Sequence, residues 1–200
     1  MSQTKEEGKT PLWKRLLFSD TVLELPISKK ITYIALLTAF TVIANTFFEI
    51  KFFSVQFSVT IFVSVLAGML LGSAFGFTAC FLGDLIGFLL HPFGAYLPWI
   101  GISTGLMAVF GALLFGRLPF KSKWGTFFKL LLVNLAIFVV CTAGITTLTL
   151  NKVWYTSMSY PQYLVTRLFI EGQIWNTLLN AALLFALVPV LTRVKILGLG

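Results

Sequence analysis

The chain has 200 residues, 58% of them hydrophobic and 11% charged, with a formal net charge of +8. A mean hydropathy of +0.92 excludes an ordinary soluble domain, which is about half apolar and a quarter charged. A basic balance can serve nucleic acid, but here the basic residues flank long apolar runs, so membrane topology and anionic lipid account for them.

Residues 1–29 carry Lys5, Lys9, Lys14, Arg15 and Lys29 but no apolar core of the length a cleavable signal peptide needs. They read as a cytoplasmic tail. Within it, residues 13–25 mix Trp13, Leu16, Leu17, Phe18, Val22 and Leu23 with charges. That pattern suits a short amphipathic helix on the membrane surface or a tail without fixed structure. Residues 30–195 then form one membrane domain. A helix crosses the hydrocarbon with about 20 apolar residues. Six runs are candidates: 31–50, 57–71, 74–90, 98–116, 127–150 and 168–191. The expected fold is an all-α integral membrane protein with six transmembrane helices. Cys80 and Cys141 lie inside such runs and read as small buried hydrophobes.

The connectors orient the chain. With the N-terminus in the cytoplasm, twelve of the fifteen Lys and Arg residues fall inside, among them Arg117, Lys121, Lys123, Lys129, Arg193 and Lys195. Only Lys51, Lys152 and Arg167 fall outside. Such asymmetry is the positive-inside signal, and it places both termini in the cytoplasm.

Small residues recur at helix-packing spacing: Gly68-x3-Gly72-x3-Gly76, Gly83-x3-Gly87, Gly101-x3-Gly105 and Ala35-x3-Ala39. In lipid, close backbone approach through such residues drives helices together. Gly101-Ile102-Ser103-Thr104-Gly105 matches the hydrolase pattern G-x-S-x-G. A nucleophile elbow needs a strand–turn–helix setting and a base, whereas this stretch lies in an apolar run and the one histidine, His91, precedes it in a loop. No phosphate loop and no metal-ligand cluster occurs in the sequence, so neither ATP hydrolysis nor a bound cofactor is expected of this chain.

What remains is a set of polar groups at membrane depth, where they are costly and mark functional sites by default. Asp84 lies mid-run. Asn45 and Glu49 are one turn apart near the outer end of the first helix. Arg167 and Glu171 are four apart at the start of the last. Gln173, Asn176 and Asn180 form an amide stripe on one face, and Asn134 stands alone. Interhelical packing bonds are the competing role for each. Asn45, Glu49, His91, Tyr96, Trp99, Arg167 and Glu171 gather toward the outer leaflet in this topology. An outward-facing pocket with aromatics and few polar anchors suits a small planar ligand. Arg167 is suited to clamp a carboxylate and Glu171 to accept two N–H bonds from a pterin-like edge, unless the two satisfy each other.

Ala35-Leu36-Leu37-Thr38-Ala39 resembles the small-x3-small motif by which substrate-binding (S) subunits of energy-coupling factor (ECF) vitamin transporters dock on their coupling protein. Gly83-Asp84-Leu85-Ile86-Gly87, Pro92-Phe93-Gly94-Ala95-Tyr96-Leu97-Pro98 and Ser103 are similar to the helix 3–loop–helix 4 stretch of the folate branch of that group. The chain departs from that branch at Phe52-Phe53-Ser54-Val55-Gln56-Phe57. The resemblance implies a capture subunit without catalysis, in the plasma membrane of a bacterium. Its partners would be a transmembrane coupling protein, which meets Ala35 and Ala39, and two ATPase subunits. It implies folate as cargo, with Asp84, Tyr96, Asn176 and the outer polar residues as binding candidates. Pantothenate, a cobalamin precursor and a queuosine-type base stay open as other cargoes. So does a non-transporting scaffold of the rod-shape-determining type.

Overall fold

The computed structural model describes residues 17–19, 22–23, 25–46, 50–52, 55–92, 94–115 and 123–193. The apolar runs are helical, as hydrocarbon demands: a helix satisfies its own backbone groups where no water can. Helix α1 is Ile27–Thr46. Strands β1 (Ile50–Phe52) and β2 (Val55–Phe57) form an antiparallel hairpin with Ile50 opposite Phe57. Then come α2 (Thr60–Leu71), α3 (Ser73–Leu90) and α4 (Pro98–Phe110), the last continuing into a π turn, Gly111–Phe115. Helix α5 runs through Lys123–Ala136, a π-helical stretch Ile137–Thr146, and Thr147–Val153. Short α6 (Tyr160–Val165) continues into a π turn, Thr166–Ile170, and α7 is Gln173–Arg193.

Three features differ from the sequence reading. The segment read as a plain connector between the first two helices pairs as a hairpin. The long loop before the last run contains α6. The last long helix starts at Gln173 rather than at 168, because Gly172 adopts φ +74°, a left-handed conformation that ends the preceding turn. Glu49 lies outside the described residues.

Ile27–Thr46, Ser73–Leu90, Trp124–Val153 and Gln173–Leu191 are long and apolar enough to cross a membrane; α2 and α4 are apolar but shorter. The short pair sits centrally. Ile61, Val65 and Met69 of α2 join Met107, Leu130, Val133, Ile137, Leu184 and Val188 in one buried cluster. Large apolar side chains such as Ile31, Leu36, Phe128, Leu135, Trp175 and Leu178 point outward, as side chains bathed in lipid must. Where α2, α3 and α4 converge, Gly68 presses on the backbone of Ala108, and Gly76 packs on Gly68. The described part of the 13–25 segment packs inward at the α2–α3 turn. The Ser19 hydroxyl donates to the Leu70 carbonyl at 2.6 Å, Phe18 meets Phe75 at 4.7 Å between ring centroids, and Val22 is buried.

Candidate functional site: a polar cavity beside the hairpin

A cavity of about 460 Å³ opens among α1, α2, α3, α4, α5, α7 and the α3–α4 loop. Its lining includes Asn45, Asp84, His91, Tyr96, Arg167 and Asn176, so six of the residues proposed from sequence meet in one place. Glu171 is half-buried beside this wall and is not among the lining residues. Trp99 points away, 62% exposed. Sequence reasoning passed over Thr60, Thr104, Thr142 and Thr146, which also line the cavity, as does Gln173 of the amide stripe. Threonines in apolar helices bond to their own backbone as easily as to a ligand, so their spacing carries no signal.

Asp84 is the hub of one wall. It accepts hydrogen bonds from Asn45 Nδ2 at 3.3 Å, Thr104 Oγ1 at 3.4 Å and Tyr96 Oη at 3.4 Å. Asn45 Oδ1 in turn accepts from Thr60 Oγ1 at 2.7 Å. The network ties α1, α2, α3, α4 and the α3–α4 loop around one carboxylate. Burial, with the Asp84 charge next in effect, pushes the Tyr96 phenol up to about 12, so it serves as a neutral donor. The bonds to Asp84 are long for charge-assisted contacts, which leaves the carboxylate free to take a stronger donor. Asp84→Asn is therefore expected to change the unfolding free energy of the empty protein by less than about 1 kcal/mol, since the amide keeps an acceptor and removes a buried charge. It is expected to weaken ligand binding at least about tenfold, the worth of one charged hydrogen bond. Thermal melts and binding titrations on the same preparation separate the two effects; a large loss of stability would make the carboxylate structural.

Arg167 lines the same cavity, and the sequence builds its position from the loop upward. Ser159 and Gln162 form a reciprocal capping box at the start of α6, with the Ser159 N–H donating to Gln162 Oε1 at 3.2 Å. Tyr160 Oη donates to the Ala143 carbonyl at 2.8 Å, and Tyr163 stacks on Tyr155 at 4.4 Å. These contacts pin α6 to α5, and the π turn that follows carries Arg167 into the interior at 7% exposure. Its Nε and Nη1 have no hydrogen-bond partner among the described residues. Burial pushes the guanidinium below its ordinary value, while Tyr163 and Glu171 nearby oppose that. Glu171 therefore does not exhaust its donors: the Nε–H and the Nη1 amino group stay without a partner among the described residues, on a residue that lines the cavity. π turns recur at functional sites, and both Arg167 and the lining pair Thr142 and Thr146 sit in them.

The remaining sequence motifs resolve as packing. Ser103 Oγ lies 3.0 Å from Thr146 Oγ1 and donates to the Cys141 carbonyl at 3.3 Å, joining α4 to α5. Asn134 Nδ2 donates to the Leu130 carbonyl within its own helix at 2.8 Å. Cys80 and Cys141 are buried free thiols. No group of three metal-ligating side chains occurs among the described residues.

A second depression of about 630 Å³ lies on the α1–α3 surface. It is lined almost wholly by apolar atoms of Ile31, Ile34, Ala35, Ala39, Val42, Leu82 and Ile86. Ala35 and Ala39 lie exposed in it, so the small-x3-small motif faces outward and is not spent on packing within the chain.

Comparison with curated proteins finds no match. Among solved structures, one described as the crystal structure of FolT bound with folic acid superposes with a TM-score of 0.65. The match covers 79% of this chain and 90% of that one at 20% identity, which is a likeness of fold. A family model described as the S component of ECF-type riboflavin transporters matches residues 27–196. With that match covering most of the chain, the chain belongs to the ECF-type riboflavin transporter S-component family and is a membrane-embedded subunit for vitamin uptake, not an enzyme.

Proposed function

We propose that this chain captures folate, or a closely related pterin, from outside the cell and passes it to an ECF motor. The observation that carries the reading is Arg167, a buried guanidinium whose Nε and Nη1 have no partner among the described residues and which lines the same cavity as the Asp84 carboxylate. Folate offers both complements: carboxylates for Arg167 and a ring edge of N–H donors for Asp84. The cavity is of the size that ordinarily encloses a small ligand. Sequence reasoning gave the N–H acceptor role to Glu171; the cavity lining favours Asp84 for it.

A second reading is riboflavin, favoured by the family description and by the many uncharged lining groups. Riboflavin has ring carbonyls for Arg167 and a polyol for the threonines, but no carboxylate. The two are separated by competitive titration of folic acid and riboflavin on the purified chain. Folic acid displacing bound riboflavin at equal concentration supports the folate reading; the reverse order overturns it.

Six membrane crossings with both termini in the cytoplasm, in a bacterial plasma membrane, fit the charge asymmetry and the family. In that frame the cavity opens outward and the α1–α3 groove offers itself to the coupling protein, which would carry two ATPase subunits. Helices dock closely in lipid where side chains are small. Ala39→Trp is expected to weaken assembly with the motor more than about tenfold, because the overpacked ring holds the helices apart. Vitamin affinity of the isolated chain should stay unchanged. Co-purification and binding assays on the same variant check both; intact assembly would remove the groove from the interface.

A further inference from the structure

The amide stripe of α7 has a defined polarity. The Ser58 backbone N–H donates to Asn176 Oδ1 at 2.9 Å, and the Phe62 backbone N–H donates to Asn180 Oδ1 at 2.9 Å. A backbone N–H can only donate. Both amide oxygens are therefore fixed, and with them the direction of both NH₂ groups. This removes the usual ambiguity between the oxygen and nitrogen of an asparagine side chain.

The two NH₂ groups have different fates. Asn180 is fully buried, and its Nδ2 is near the Ser58 carbonyl at 2.6 Å, the Asn176 carbonyl at 2.8 Å and Asn176 Oδ1 at 3.2 Å. It is consumed by the protein. Asn176 Oδ1 thus receives two donors, while its NH₂ meets no protein acceptor among the described residues, and the residue lines the cavity. Arg167, with Nε and Nη1 unpartnered among the described residues, lines the same cavity.

We infer that Asn180 is a positioning residue that locks Asn176 with its NH₂ toward the cavity, so that Asn176 and Arg167 present hydrogen-bond donors only. The ligand group that meets them is an acceptor: a carboxylate, a carbonyl or an unprotonated ring nitrogen. The assignment rests on the cavity being the vitamin site. It adds a rule of specificity, since a ligand placing an amino group there would face two donors and lose both bonds. It also gives separate work to two residues of one stripe: Asn176 reads the ligand, and Asn180 holds Asn176 and the start of α2 in register.

The test uses the full chain in detergent with ¹⁵N-asparagine. The side-chain signals of Asn176 and Asn180 are assigned by single substitution. In the empty protein the Asn176 NH₂ is expected to exchange with water and the Asn180 NH₂ to be protected. Saturating folic acid or riboflavin, whichever binds, should then protect Asn176 at least tenfold. Asn180→Leu should lose that added protection and weaken the vitamin at least tenfold. A protected Asn176 NH₂ in the empty protein overturns the inference, as does bound vitamin that leaves its exchange unchanged, or Asn180→Leu binding like wild type. If neither vitamin binds, the substrate reading fails by itself, and the empty-state exchange pattern still decides the polarity. It also decides if Asn180→Leu does not fold.

Discussion

Arg167→Gln should lower the affinity for folic acid by roughly 100-fold while leaving the empty protein as stable as wild type or more so. The two halves have different causes. A hydrogen bond to a charged group contributes about 1.5–3 kcal/mol, and each 1.4 kcal/mol is a factor of about ten. Nε and Nη1 of Arg167, which lines the cavity, have no partner among the described residues, and glutamine supplies no matching fork. In the empty protein, by contrast, a buried and incompletely paired guanidinium is a liability. Removing it relieves a desolvation cost that Tyr163 and Glu171 only partly offset. If Arg167 instead served the fold by pairing with Glu171, the same substitution would lower the melting temperature and leave affinity near its original value. Titration and thermal unfolding of one preparation separate the two accounts.

The largest effect on folding is expected at Gly68. A Cβ built there meets the Ala108 carbonyl directly, and Gly76 of α3 packs on Gly68 and close to Ala108. Backbone atoms of Ala108, not the ends of flexible side chains, bound the space. Overpacking a close-packed interior costs about 1–3 kcal/mol and more where nothing can yield. Gly68→Leu should therefore cost about 3 kcal/mol or more and prevent recovery of a monodisperse protein. Size-exclusion profiles and melts in detergent check this. A Gly68→Leu protein that elutes and melts like wild type would mean that α2 and α4 do not approach as closely as the structure places them.

The helical scaffold was legible because its cause is local: six apolar runs, separated by Pro, Gly and basic residues, each had one stable outcome in lipid. The gathering of Asn45, Asp84, His91, Tyr96, Arg167 and Asn176 was legible because polar groups at membrane depth are too costly to be incidental. Less local features were not. The hairpin at Ile50–Phe57 depends on cross-strand pairing that no turn signature announces. The position of Arg167 depends on the capping box of α6, on the stacking of Tyr155 and Tyr163, and on the left-handed turn at Gly172. Trp99 was grouped with the cavity because it shares its level in the membrane, but level does not determine which way a helix faces. The amide stripe was readable as a face of α7; the polarity of each amide follows only from the two backbone N–H groups of α2 that meet it.

The central claim is that this chain alone captures a vitamin. Equilibrium binding of a labelled panel (folic acid, riboflavin, pantothenate, cobalamin, thiamine and queuine) to the purified chain in detergent, without ATP or any partner, tests it most directly. Saturable one-to-one binding, tightest for folic acid and sharply weakened by Arg167→Gln, is the predicted result. Failure of every member of the panel to bind a monodisperse, cooperatively melting protein would contradict the account.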